Sequence, residues 1–157
     1  MSIVSLPDLL SELVKLRKEK KSLVLVTGCF DMLHSEHLQF LASAGKKGDY
    51  LLLGLESDKR VKQLKGKGRP VNTIKKRMKN LEKSGLVDYI FPLPEKFSTS
   101  AAHELLISQL RPRILAVSSH TLHQDRKKII VERYGGQIRV VWPYNSKISS
   151  SILLADL

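Results

Sequence analysis

A single cysteine, Cys29, stands in the 157-residue chain, so no internal disulfide can form and stability has to come from packing. No apolar run approaches the roughly 18 residues that a membrane-crossing helix needs. Nor does the chain open with a charged segment, an apolar stretch and a small-residue cleavage site, so a soluble, cytoplasmic protein with no membrane insertion is expected. Acidic residues are scarce: 15 Asp and Glu face 27 Lys and Arg, a net charge of +12, and this balance favours polyanionic partners. No internal repeat or low-complexity linker breaks the chain, and one domain covering residues 1–157 is expected, large enough to bury roughly two thirds of the surface its unfolded form exposes. A carboxylate cluster is missing too. The two neighbouring histidines lack HExxH spacing, and Cys29 lies in the turn before them, so zinc fits poorly and no metal ligand is assigned.

What is present concentrates in Ser22 to Leu38, SLVLVTGCFDMLHSEHL. Leu23 to Val26 read as a strand buried on both faces, as in a parallel sheet. Gly28 permits a tight turn and close backbone approach, and a helix is predicted to open near Asp31 to His34. Its free N–H groups and positive dipole end would then face the crevice above the strand, which is an anion site. His34 and His37, at i and i+3, share one helix face, where two imidazoles can bond to a phosphate chain. An isolated His-x-x-His is more often one surface and one half-buried histidine; the strand, turn and helix around this pair favour phosphate.

Basic residues crowd the stretch from Lys59 to Lys79, in which no acidic residue appears. The segment QLKGKGRPVN reads as a loop able to bring Lys65, Lys67 and Arg69 over a phosphate, whereas Lys59, Lys75, Lys76 and Lys79 read as a solvated face. Along the rest of the chain, Leu6 to Arg17 is predicted as a packing helix with Ser5 and Asp8 at its start. YLLLGL is a second strand, Thr73 to Lys83 a capped helix, and Tyr89 to Phe91 a short strand. A helix runs from Phe97–Ser100 to Leu110, ILAV is a strand, Gln124 to Tyr134 a helix stopped by two glycines, QIRVV a strand, and Ser149 starts a last helix. Short apolar strands alternating with helices predict an α/β fold, a doubly wound parallel sheet of about five strands with ligands at the carboxyl ends of the strands.

GCFDMLHSEH is similar to the GxFDxLHxGH signature of the HxGH nucleotidyltransferases, the cytidylyltransferase-like superfamily with a Rossmann-like fold. The chain resembles in particular the nucleotidyltransferase domains of bacterial heptose-phosphate biosynthesis, in the N-terminal helix, GCFDMLHSEH, GDYLLLGLESD, LKGKGRPVN, Arg77, VDYIF and IVERYGG. The resemblance implies transfer of a nucleoside monophosphate from ATP or CTP to a phosphorylated small molecule, with release of pyrophosphate. It implies that His34, His37 and Lys65 hold the triphosphate and stabilise the transition state, and that Arg77 helps to hold the phosphates. Thr27, Gly28, Cys29 and Phe30, together with Ser118, Ser119 and His120 and the hydroxyls of Ser149, Ser150 and Ser151, would contact the nucleotide. Asp31 would fix the turn or touch the acceptor, which Arg69 would also contact, and Lys46 is a weaker basic candidate. Mg2+ bridging the triphosphate is implied by the chemistry.

Three departures from the pattern stand out. Glu36 replaces the glycine between the histidines, a carboxylate expected to cost nucleotide affinity unless it swings away or pairs. Ser118, Ser119, His120 and Thr121 replace a glycine and aspartate segment. Ser149 to Ser151 replace a Ser-Thr-Thr start, a mild change. Heptose 1-phosphate or a related sugar phosphate leads as acceptor; glycerol phosphate with CTP and flavin mononucleotide with ATP are alternatives. Two other classes stay open: a non-catalytic nucleotide-binding or regulatory protein on the same fold, and, ranked last, nucleic-acid binding through the basic run. A homodimer is compatible with the sequence. Cys29 is expected to pack in the turn, and Trp142 and Tyr144 to close a core edge.

Overall fold

The computed structural model describes residues 2–142. Twelve elements follow one another in these residues: β1 (Ser2–Ile3), α1 (Leu6–Lys18), β2 (Leu23–Gly28), α2 (Ser35–Gly45), β3 (Tyr50–Leu55), α3 (Asp58–Lys65), α4 (Ile74–Ser84), β4 (Tyr89–Pro92), α5 (Ser100–Leu110), β5 (Ile114–Ser118), α6 (Gln124–Arg133) and β6 (Gln137–Trp142). The strands form one parallel sheet in the order β1-β4-β3-β2-β5-β6. The α/β doubly wound reading therefore holds, with six strands rather than about five. The additional strand, Ser2–Ile3, pairs with Tyr89 and Ile90 of β4 and is too short to leave a periodic signal.

Alternation along the strands divides the core in two. Leu23 and Leu25 of β2 pack with Leu9, Leu13 and Leu16 of α1, with Leu106, Ile107 and Leu110 of α5, and with Ile130 and Val131 of α6. Val24 and Val26 face the other way, against Phe40, Leu41 and Ala44 of α2 and Met78 and Leu81 of α4. A sheet with helices on both faces needs strands that are apolar on both sides, and this is why the strand sequences read as continuous hydrophobic runs. Gly54 lies where β3 meets β4: an added Cβ would stand 2.7 Å from Leu93 and 3.0 Å from Phe91, so only glycine leaves room for these side chains.

Helix starts follow the hydroxyl caps. Ser5 accepts from the Asp8 amide, Ser57 from Arg60, Thr73 from Lys76 and Thr99 from Ala102. Helix α3 is a finding that sequence reading missed, because its single buried apolar residue, Val61, gives no stripe among the charges. The segment expected as the loop QLKGKGRPVN accordingly begins as the last turn of α3, and the chain leaves the helix at Gly66.

Candidate active site

The chain runs outward from β2 through β3 to β4, then crosses to the opposite side of β2 to lay down β5 and β6. The switch point thus falls between β2 and β5. There the pairing is limited to Val24↔Ile114 and Leu25↔Leu115, whereas β2 and β3 pair over all of Leu23–Gly28. The carboxyl ends of β2 and β5 are consequently unpaired with each other, and a crevice opens where open α/β sheets take their ligands. A cleft of about 540 Å³ occupies it, within the usual size of a small-molecule site. Its floor is Thr27, Gly28 and Cys29, and its walls carry Glu56, Arg60, Lys65, His103, His120, Arg126 and Lys127. A smaller, mainly apolar cavity of about 50 Å³ lies alongside, lined by Phe30, Phe97, His103 and Ser118 among others.

The turn after β2 differs in one respect from expectation. Gly28 does not supply a left-handed backbone; Phe30 does, at φ 48°. What Gly28 supplies is space, since a Cβ there would stand 2.8 Å from the Phe30 ring. The Phe30 ring is buried and leans on His37, with ring centres 5.3 Å apart. Helix α2 begins at Ser35 rather than between Asp31 and His34, and His34 is its N-cap residue.

The two imidazoles stack, with centres 3.8 Å apart and planes at 25°. The His34 amide donates to His37 Nδ1 at 3.3 Å, which we take to place the ring proton of a neutral His37 on Nε2. Burial, reinforced by the charges of His34 and Lys65, lowers the His37 pKa to about 3, so the ring is neutral at pH 7. His37 Nε2 and both ring nitrogens of His34 are buried, with local backbone groups as their polar neighbours: the His37 amide faces the His34 ring, and the Met32 backbone lies against the His37 ring, opposing the drop in its pKa. Neither ring lines the cleft. Cys29 and Lys65 do, and the influence of Lys65 on His37 ties the histidine pair to the cleft wall.

A second polar cluster closes the other side of the turn. Buried Asp31 accepts from Arg69 Nε, Val71 N and Asn72 N, each at 2.8 Å, while its carbonyl accepts from Asn72 Nδ2 at 2.7 Å. Burial would raise the Asp31 pKa, but these hydrogen bonds and the Arg69 charge outweigh it and hold the carboxyl below the ordinary value. Asp31, expected to fix the turn or touch the acceptor, ties the turn after β2 to residues 69–72. Arg69 and Asp31 meet each other, not the cleft. Arg77 corrects the expectation of a phosphate ligand: it is fully buried, and its guanidinium donates to the carbonyls of Cys29 (3.0 Å), Glu56 (2.9 Å) and Asn72 (3.1 Å) and to Asp58 (2.7 Å).

Glu36 swings away from the crevice. It is buried, and the Trp142 indole N–H donates to its carboxylate from the end of β6. Lys46 is exposed at the far end of α2, about 16 Å from the histidines at 1.5 Å per residue, and belongs to no site here. In the segment after β5, Thr121 Oγ1 accepts from the Ser118 amide, and the Gln124 side chain donates to the carbonyls of Ser118, Ser119 and Thr121. This places His120 and Thr121 on the cleft wall and Ser118 in the smaller cavity, with Ser119 exposed. Tyr144, Ser149, Ser150 and Ser151 lie outside the described residues. Among the described residues no group of three or more His, Cys, Asp or Glu could hold a metal ion, and no helix is long and apolar enough to cross a membrane.

Sequence reading missed Glu56, Arg60, His103, Arg126 and Lys127. The signal for Glu56 was its place directly after the apolar run of β3, at the strand's carboxyl end. Burial raises the Glu56 pKa to about 7, with Arg60, Lys127 and Arg77 pulling the other way. Burial also lowers the pKa of Lys127 and of His103.

Residues 25–155 match the family model for cytidylyltransferase-like proteins. The chain is 33% identical over 152 residues to the bifunctional protein HldE of Pseudomonas fluorescens Pf-5, covering 96% of this chain and 31% of that protein. It is 32% identical to HldE of Pseudomonas putida GB-1 over the same shares of each chain. It thus spans about a third of the length of these curated relatives. Among solved structures, the lipopolysaccharide core biosynthesis protein of Thermoplasma volcanium GSS1 superposes with a TM-score of 0.63 at 18% identity, covering 80% of this chain and 97% of that one. The pantoate-beta-alanine ligase of Francisella tularensis also reaches 0.63, at 13% identity, over 93% and 68% of the two chains. At such identities these likenesses speak for the fold. The crevice at the switch point, the paired histidines at the start of α2 and the match over residues 25–155 together make this chain a member of the cytidylyltransferase-like family of nucleotidyltransferases.

Proposed function

We propose that the protein transfers a nucleoside monophosphate from ATP or CTP to a phosphorylated small molecule, with a sugar phosphate such as heptose 1-phosphate as the leading acceptor. The observation that carries this reading is the stacked, buried pair of imidazoles of His34 and His37 at the start of α2, beside the cationic cleft, with ring nitrogens that local backbone groups approach. Buried polar atoms are costly to leave unpaired, and they persist where a ligand completes them. The triphosphate would reach the ring nitrogens once the rings are uncovered. His37 Nε2–H and a nitrogen of His34 would then bond to its oxygens, with the α2 amides and Lys65 adding positive charge.

In the reaction, an oxygen of the acceptor phosphate attacks the α-phosphorus in line. A new P–O bond forms, the bond from the α-phosphorus to the bridging oxygen breaks, and pyrophosphate leaves with that electron pair. A neutral His37 stabilises the growing charge by donating a hydrogen bond, without moving a proton. Mg2+ belongs to this proposal as a companion of the triphosphate, held by phosphate oxygens; no described residue is assigned to it. The choice of a sugar phosphate rests on the run of blocks that resembles heptose-phosphate enzymes; glycerol phosphate and flavin mononucleotide are the other acceptors to compare. The deciding assay is pyrophosphate release with four nucleoside triphosphates against a panel of phosphorylated acceptors. Release with one nucleotide and one acceptor class is expected. Nucleotide binding without release under any pairing would overturn the catalytic reading in favour of a binding or regulatory protein.

A further inference from the structure

Glu56 has an environment that the phosphate chemistry does not use. Its backbone is held from both sides: its amide donates to the Gly28 carbonyl at 3.0 Å, and its own carbonyl accepts from Arg77 at 2.9 Å. Its side chain, only 9% exposed, lines the cleft with Oε2 buried and unpartnered. One helical turn later Arg60 also lines the cleft, and its Nε is likewise buried without a partner. An acceptor atom, Glu56 Oε2, and a donor atom, Arg60 Nε, are thus buried and unpaired on residues of one cleft, while Arg60 Nη1 donates to Gln63 at 3.4 Å.

A ligand that completes both groups must carry hydroxyls to donate to the carboxyl and an anionic oxygen to accept from the guanidinium. A bare phosphate would satisfy Arg60 but not Glu56, while a cation would satisfy Glu56 and meet Arg60, Arg126 and Lys127 on the same walls. Resting on the nucleotidyl-transfer reading above, we propose that Glu56 is a specificity-determining residue for the acceptor: it binds hydroxyls of the acceptor's carbon skeleton while Arg60 and Lys127 face its phosphate, so the cleft selects polyhydroxylated phosphates. The lifted Glu56 pKa fits this role, because a carboxyl near half-protonation both accepts from and donates to a hydroxyl.

The test is calorimetric titration of the whole chain, as wild type, Glu56→Ala and Glu56→Gln, with sn-glycerol 3-phosphate, D-mannose 1-phosphate and, as the bare counterpart, n-propyl phosphate. Wild type is expected to bind the hydroxylated phosphates at least about tenfold more tightly than propyl phosphate. Glu56→Ala should reduce that preference to less than about threefold without weakening propyl phosphate, and Glu56→Gln should retain part of it. Thermal unfolding confirms that each variant is folded, which removal of an unpartnered carboxyl favours. A preference unchanged in Glu56→Ala, or absent from wild type, overturns the proposal. So does a loss that follows the ribose, seen as an effect of the variant on CTP that vanishes with 2′- and 3′-deoxy CTP. Hydroxyl-dependent binding lost in Glu56→Ala, with no pyrophosphate released from any nucleotide, would instead sustain Glu56 and overturn the transfer reaction.

Discussion

The turn after β2 separates two buried polar clusters that are built in opposite ways. On one side, Asp31, Arg69, Asn72 and Arg77 satisfy one another and the surrounding carbonyls. On the other, the stacked His34 and His37 and, on the cleft wall, Glu56 hold buried ring nitrogens and a carboxyl oxygen that no described side chain completes. Composition does not distinguish them, for both mix cations with potential acceptors. Saturation does: in the first cluster Asp31 and the buried guanidinium of Arg77 are committed to internal partners and act as scaffold, while the second holds buried polar atoms that a ligand can complete.

The contrast is tested most severely at Arg77. Arg77→Met leaves the Cys29 and Glu56 carbonyls buried without their donor, takes a partner from the Asn72 carbonyl and from the partly exposed Asp58, and should cost about 3–5 kcal/mol, read from the urea midpoint. A variant of normal stability with lost nucleotide affinity would move Arg77 into the binding site. The complementary experiment is on the histidines. His34→Ala or His37→Ala should lower turnover about 100- to 1000-fold, roughly 2.7–4 kcal/mol of transition-state stabilisation, while the fold persists. A large stability loss with turnover intact would erase the distinction between the clusters.

A smaller effect is expected at Glu36. Glu36→Gly should destabilise by about 2 kcal/mol through the lost bond to Trp142 and a glycine in the first turn of a helix, accompanied by a change in Trp142 fluorescence. Nucleotide affinity should stay within about twofold, because the carboxylate already points away from the crevice. Glu56 offers a pH test. With its folded pKa raised to about 7 against an ordinary 4.5, the stability it contributes is full below pH 4.5 and is lost as pH rises to about 7. Glu56→Gln should therefore match wild type in acid and exceed it in melting temperature at pH 8. Lys75→Ala, on an exposed face of α4, should alter neither turnover nor stability measurably.

Much of the fold was legible because β2, β3 and β5 are buried on both faces and announce themselves as apolar runs. β1 and α3 were not: two residues carry no period, and α3 sets one buried valine among charges. At the site, the spacing of His34 and His37 was enough to put them together. The role expected for Arg77 was mistaken because a sequence shows an arginine near a phosphate loop but not the carbonyls that consume its donors. Glu36 looked like an obstruction for a similar reason; its partner lies 106 residues further along, at the end of β6. Glu56 was overlooked because a carboxylate after a strand ordinarily meets water, and only the packing of α6 and α3 around it shows otherwise.

The two-residue pairing between β2 and β5 has a consequence for how such a molecule can change over time. The crevice is made by the order in which strands are laid down, so no single side chain is needed to keep it open. Its lining can be exchanged residue by residue while the backbone stays as it is, and a chain only 13% identical still superposes at a TM-score of 0.63. Chemistry can drift on such a fold while architecture stands still, and the segment Ser118–Thr121, which departs from the family pattern, lies at this opening.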